Sequence, residues 1–93
     1  MEDKKYVWLV MTDWSIESGE HASDAYVYSS YEAAKKAFNE CVHEDKTCNY
    51  EDYDAENTIY SWEEEDDYWC IWQDGYYGMD HSEIKIEKRE VLY

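Results

Sequence analysis

The sequence predicts an α+β domain: an antiparallel sheet of about four to five strands with one amphipathic helix packed on one face, in the order β-β-α-(β)-β-β. Three observations carry that prediction. Residues 6–14 read Tyr-Val-Trp-Leu-Val-Met-Thr-Asp-Trp, β-branched and aromatic with neither Gly nor Pro. Residues 34, 37, 38, 41 and 42 are apolar at helical spacing. Residues 68–73 form another aromatic run, Tyr-Trp-Cys-Ile-Trp-Gln, followed by Asp74-Gly75. At 93 residues the chain has the length of a single domain, 1–93.

In the first strand Val7, Leu9 and Met11 point one way and Tyr6, Trp8, Val10 and Trp14 the other. Both faces are apolar, which suits an interior strand. If the 44–67 segment leaves the face of Trp8 and Trp14 open, that face implies dimerisation or a partner. Ser15–Ser23 is polar, contains Gly19 and reads as a loop. Asp24–Ser29 carries Tyr26, Val27 and Tyr28 and reads as the return strand of a hairpin. Ser29 with Glu32 has capping-box spacing, and Ser30 is the alternative cap. The helix that follows turns Ala34, Ala37, Phe38, Cys41 and Val42 to the sheet and ends near His43 or Glu44.

Between Glu44 and Asp67 the apolar residues follow no period, and Thr58–Trp62 is a candidate short strand. Tyr68–Gln73 is the next strand, and Asp74-Gly75 predicts a two-residue primed hairpin turn. Tyr76–Met79 starts the return and Ser82–Leu92 continues it, with Ile84 and Ile86 inward and Glu83, Lys85 and Glu87 outward.

Charge sets the function classes. Asp and Glu number 24 against 8 Lys and Arg, a formal net charge of −16. Low hydropathy with this charge favours disorder, but aromatic residues make up 18% of the chain and supply a core. The expected result is a folded, modestly stable domain that salt stabilises by screening self-repulsion. Such a surface repels nucleic acid and anionic lipid, so direct nucleic-acid binding and membrane association are not expected.

Cys41, Cys48 and Cys70 are odd in number and widely spaced, which fits reduced thiols. Met1–Lys5 is charged and lacks an apolar leader, so the expectation is a cytoplasmic protein. No nucleophile elbow, glycine-rich phosphate loop or His-Glu-x-x-His is present, so neither an enzyme nor a cofactor is expected. His21 and His81 fall in predicted turns and read as exposed.

Eleven carboxylates lie between Glu44 and Asp67, where Lys46 is the one basic residue. The run Glu63, Glu64, Glu65, Asp66 and Asp67 reads as a solvated loop or as a binding surface. With Glu51, Asp52, Asp54 and Glu56 it forms the candidate partner site, and Trp62 and Tyr68 are its candidate apolar anchors. For Trp69, strand alternation favours the core. Asp52, Asp54, Glu56 and Glu63 also approximate a calcium loop, although Asn57 stands where that loop requires Gly. Cys41, His43 and Cys48 lack the paired spacing of a zinc site.

In size, charge and aromatic α+β character, the chain resembles small acidic proteins of phages and mobile elements, including DNA-mimic inhibitors and anti-CRISPR proteins. Glu63–Asp67 with Glu51, Asp52, Asp54 and Glu56 carry the resemblance. It implies a stoichiometric inhibitor that occupies the DNA or guide-RNA channel of a bacterial defence nuclease. The partner expected on this reading is a basic nucleic-acid-binding protein. The alternatives are an immunity protein for a basic toxin nuclease, and a calcium- or carbohydrate-binding module. Carbohydrate would stack on an exposed Trp14, Trp72 or Tyr76.

Overall fold

The computed structural model describes residues 5–16, 19–74 and 80–91. Its elements are β1 (Tyr6–Ser15), β2 (His21–Tyr28), α1 (Tyr31–Glu44), a π-helical turn (Asp45–Asn49), β3 (Tyr60–Glu65), β4 (Tyr68–Gln73) and β5 (His81–Glu90). The strands form one antiparallel sheet in the order β2-β1-β5-β4-β3. This is the α+β architecture that the sequence predicts, with five strands and the helix between the second and third.

β1 pairs along its length with both β2 and β5, which explains why it is apolar on both faces. Opposed residues in antiparallel strands share a face. Val10 lies opposite Ile86, Thr12 opposite Ile84, Trp69 opposite Ile84 and Ile71 opposite Ser82. These residues share the face against which α1 packs, chiefly over β1 and β5. The core is Val10, Ala34, Phe38, Val42, Tyr50, Trp69, Ile71 and Ile84, with Trp8, Ala37, Cys41 and Ile86 packed around it. A fully buried Trp removes ~200 Å² from water, about 5 kcal/mol at ~25 cal/mol per Å² before entropy is counted. Trp69 is fully buried, as strand alternation predicts.

The open question about the face of Trp8 and Trp14 is answered by position. Trp8 and Val10 lie on the helix side, and Trp14 lines a cavity with Asp45 and Tyr50. Val7, Leu9 and Met11 look to the opposite face and are half-buried.

Several boundaries differ from the sequence reading. β2 begins at His21, because His21, Ala22 and Ser23 pair with Ser15, Trp14 and Asp13 despite their polar character. The connection is thus shorter than the predicted loop, and the Gly19 N–H donates to Ile16 O at 2.9 Å. Gly19 has φ +96°, a conformation that glycine adopts without a Cβ penalty.

The helix cap is Ser30 rather than Ser29. The Ala33 N–H donates to Ser30 Oγ at 3.2 Å, which places Glu32 one position too early for a capping box. β3 starts at Tyr60, not Thr58, and runs into the acidic stretch because Glu63, Glu64 and Glu65 pair with Cys70, Trp69 and Tyr68. The loop reading therefore holds only for Asp66 and Asp67, the turn between β3 and β4, and of these two only Asp66 is exposed.

A turn at Asp74-Gly75 would set Trp72 opposite Tyr77, but Trp72 pairs with His81 and the Gln73 N–H donates to Asp80 O at 3.0 Å. The two-residue turn is thus not the link between β4 and β5. The predicted return Tyr76–Met79 and the end at Leu92 lie outside the described residues. Among the described residues, no helix is long and apolar enough to cross a membrane.

Candidate functional site

β3 is an edge strand, so the residues of the acidic run stand at the border of the sheet. Side chains alternate along a strand. Glu63 and Glu65 therefore project from the face away from α1, and Trp62 and Glu64 from the helix side. Glu63, Glu64, Glu65 and Asp66 are exposed. Glu64 accepts from Lys46 Nζ at 2.6 Å. Asp67 accepts from the Tyr31 hydroxyl at 2.6 Å and lies 3.6 Å from Lys35 Nζ. That hydrogen bond to Asp67 pushes the Tyr31 hydroxyl pKa upward. Among the described residues, Glu63, Glu65 and Asp66 have neither an ion pair nor a side-chain hydrogen bond.

The second acidic group is held beside the first by aromatic packing. Tyr53 meets Trp62 and Trp69 edge-on, with centroids at 5.4 and 5.6 Å, and Tyr50 meets Tyr60 at 5.1 Å. Lys46 Nζ sits 5.1 Å from the Trp69 ring and 5.6 Å from the Tyr53 ring. These contacts tie residues 50–58 to β3 and β4 as a series of turns. Glu51, Asp52, Asp54 and Glu56 are exposed on those turns, around the half-buried Tyr53.

Both acidic groups of the sequence reading are thus brought to the β3 side of the sheet. The two anchors are not brought together. Trp62 is 41% exposed on the helix side. Tyr68 is half-buried on the other face, where its hydroxyl donates to Glu83 at 3.2 Å. Burial, before any other cause, pushes the Tyr68 pKa upward and keeps it a donor.

Asp45 was not singled out by the sequence. It is 5% exposed. Its Oδ2 accepts from Trp69 Nε1 at 3.0 Å and from Ser82 Oγ at 2.6 Å, and its Oδ1 accepts from Asn49 Nδ2 at 2.8 Å. The wide winding of the π-helical turn positions this carboxylate under the sheet. Its backbone carbonyl also accepts from the Tyr50 N–H at 2.7 Å. One carboxylate thus joins the helix end, β4 and β5.

Nearby, the hydroxyls of Tyr50 and Tyr60 both donate to Asp80 at 3.1 Å. Burial, and then the Asp80 charge, raise the Tyr50 pKa. An open cavity of about 930 Å³ lies between these groups and Trp14.

His81 is buried, not exposed in a turn, and His21 is exposed within β2. Ser15 Oγ lies 2.9 Å from His81 Nδ1, His81 Nε2 lies 3.5 Å from Asp13 Oδ2, and Ser23 Oγ donates to Asp13 Oδ1 at 2.7 Å. A Ser–His–Asp set can activate a nucleophile when the hydroxyl is reachable. Here Ser15 is 7% exposed, and the chain of contacts links β2, β1 and β5.

The other candidates are spread apart. Asp52, Asp54 and Glu56 lie on turns and Glu63 lies on β3. Among the described residues, no group of three or more His, Cys, Asp or Glu residues is placed to hold a metal ion. Cys41, Cys48 and Cys70 are free thiols, half-buried, exposed and buried in turn. Trp14 and Trp72 are half-buried, and Tyr76 lies outside the described residues. In comparisons with known proteins, no family model, no curated protein and no solved structure matches the chain.

Proposed function

We propose that the protein is a non-enzymatic, stoichiometric inhibitor whose acidic β3 edge and adjoining turns occupy the basic nucleic-acid cleft of another protein. The carrying observation is that Glu63, Glu65 and Asp66 stand exposed on an ordered strand and its turn, with no partner among the described residues. Unpaired carboxylates that cluster on a framework cost stability through repulsion. A cluster of Lys and Arg removes that cost, and the guanidinium fork bonds carboxylate as readily as phosphate.

The spacing supports the same reading. Successive strand residues rise ~3.3 Å, and phosphates along one DNA strand follow each other every ~3.4 Å of helix axis. Glu63 and Glu65, which share the face away from α1, stand two strand rises apart, about 6.6 Å, close to two phosphate steps of about 6.8 Å of axis, with Glu51, Asp52, Asp54 and Glu56 as a second rank. Trp62, exposed on the helix side of the same edge, supplies an apolar contact there. A defence nuclease and a toxin nuclease both present such a cleft, and a bacterial cell is the setting in which either is met.

The test is capture of basic nucleic-acid-binding proteins from bacterial lysate, followed by displacement of duplex DNA from the purified partner. The chain with Glu63→Lys, Glu65→Lys and Asp66→Lys should bind on the order of a hundredfold more weakly than the natural one. It should keep its circular dichroism spectrum. Natural binding should fall steeply as salt shrinks the screening length from about 10 Å to about 3 Å. A partner that binds equally well after the three reversals, or that still holds its DNA, would sink the proposal.

A further inference from the structure

β2 and β3 close the sheet at its two sides, and each leaves a row of backbone N–H and C=O groups without a strand neighbour. Soluble proteins guard such rows with charge, Pro, a bulge or a covering segment. β3 is guarded by its consecutive Glu residues. β2 has none of these devices among the described residues. In eight residues it carries Asp24 as its one carboxylate and contains no Lys, Arg or Pro. Its pairing with β1 runs unbroken from Tyr28 to His21, so no bulge turns the edge away. Ser23–Val27 are exposed, Tyr26 by 51% and Val27 by 64%.

We infer that β2 is a self-association edge, at which two copies of the chain pair β2 against β2 antiparallel and join two sheets into one of ten strands. The occupant is a second copy because the topology clears the charge away from this edge alone. Each chain carries −16, yet β1 and β2 together hold only Asp13 and Asp24. β3 lies four strands away, about 19 Å at ~4.8 Å per strand. In the dimer the two β3 edges stand nine spacings apart, about 43 Å, which is several screening lengths of about 8 Å.

The sheet also narrows the register, and the pairing about Ala25 is the one tested. Facing residues must project from one face, so their numbers sum to an even value. Pairing about Asp24 would stack two carboxylates. Pairing about Ala25 sets Asp24 opposite Tyr26 and Ser23 opposite Val27, and brings Ala25 to its own copy on the two-fold axis. The interface is isologous, as closed dimers require. It leaves both β3 edges outward, so a dimer presents two acidic surfaces.

Sedimentation velocity over a concentration series tests this directly. The natural chain should sediment at twice 11.3 kDa and dissociate on dilution. Val27→Lys, at an exposed position, should raise the dissociation constant on the order of tenfold or more. A chain with Ala25→Cys and the exposed Cys48→Ser should form a disulfide-linked dimer under mild oxidation. Opposed residues sit about 4.5–5.5 Å apart, within the ~4.4–6.8 Å that a disulfide spans. Thermal melting checks that each variant folds.

Triple reversal at Glu63, Glu65 and Asp66 should leave the dimer intact, which separates this inference from the inhibitor proposal. A natural chain that stays monomeric throughout overturns it. So does a dimer insensitive to Val27→Lys, one that cannot be trapped through Ala25→Cys, or one lost in the triple reversal.

Discussion

β3 and β2 end the same sheet, but β3 carries Glu at three successive positions and β2 one Asp in eight residues. Their supports differ too. The β3 side rests on side chains: Tyr53 packs against Trp62 and Trp69, Lys46 lies over the rings, and Asp45 bonds Trp69 and Ser82. The β2 side rests on its backbone ladder to β1 and on the Asp13–Ser23 contact, with α1 reaching over part of it. Net charge alone therefore describes this molecule poorly. Nine of the 24 carboxylates, Glu51, Asp52, Asp54, Glu56 and Glu63–Asp67, gather at one border, and that border needs a buried scaffold to hold its like charges together. The other border is left nearly neutral, so a strand can approach it.

Removing the scaffold should have the largest effect. Asp45→Ala deletes the acceptor of Trp69 Nε1, Ser82 Oγ and Asn49 Nδ2, two of them buried donors. Stranding buried donors costs about 1–3 kcal/mol each, so about 3 kcal/mol overall is expected. At about 4–8 °C per kcal/mol for a domain of this size, the melting point should fall by more than about 10 °C. Hydrogen exchange should accelerate in β4 and in residues 50–58 before it does in β2. Equal loss of protection at both borders would break the proposed difference in support.

Asp45 also shows where sequence reasoning stops. β1, β4 and α1 are legible because a strand or helix advertises itself through the local period of its apolar residues. Val10, Phe38, Val42 and Trp69 are core for that reason. Asp45 is one of eleven carboxylates between Glu44 and Asp67, and its burial depends on Trp69 and Ser82, which are 24 and 37 residues away. No local pattern encodes that meeting.

His81 was misplaced by the same kind of distance, since its partner Ser15 is 66 residues earlier. His21–Ser23 look like loop because an edge strand is fixed by the neighbour it pairs with, and polar residues pair through their backbone as well as apolar ones do. The acidic candidate site was legible as composition. The edge strand that carries Glu63–Glu65 was not, because five consecutive carboxylates hide the strand period.

Neutralising the acidic border should have a smaller effect. Glu63→Gln, Glu65→Gln and Asp66→Asn remove like charges without removing a side-chain contact seen among the described residues. At low ionic strength this should raise stability by about 1 kcal/mol. The melting point of the natural chain should climb with salt, and that climb should shrink in the variant. Asp24→Asn on β2 should shift stability by no more than about 0.5 kcal/mol. An equal gain from Asp24→Asn would mean that repulsion is spread over the surface rather than gathered at β3.

The smallest effect concerns the tie between β1 and β2. Asp13 accepts from Ser23 Oγ at 2.7 Å and lies 3.5 Å from His81 Nε2. The Ser23 hydrogen bond, more than the imidazole, holds the Asp13 carboxyl below the usual carboxylate range, against an opposing effect of burial. A folded value below the unfolded one, about 3.9 for Asp, gives stability that is present above that pH and is lost as the pH falls through the folded value. Ser23→Ala removes the larger cause. Because Asp13 is half-exposed, the cost should be only about 0.5 kcal/mol. The gap in melting temperature between the natural chain and Ser23→Ala should therefore be constant near about pH 6 and close toward about pH 3, as Asp13 takes up its proton in both. A gap that persists unchanged at low pH would mean that the hydroxyl acts without the carboxylate charge, leaving the backbone ladder and α1 to hold β2 in place.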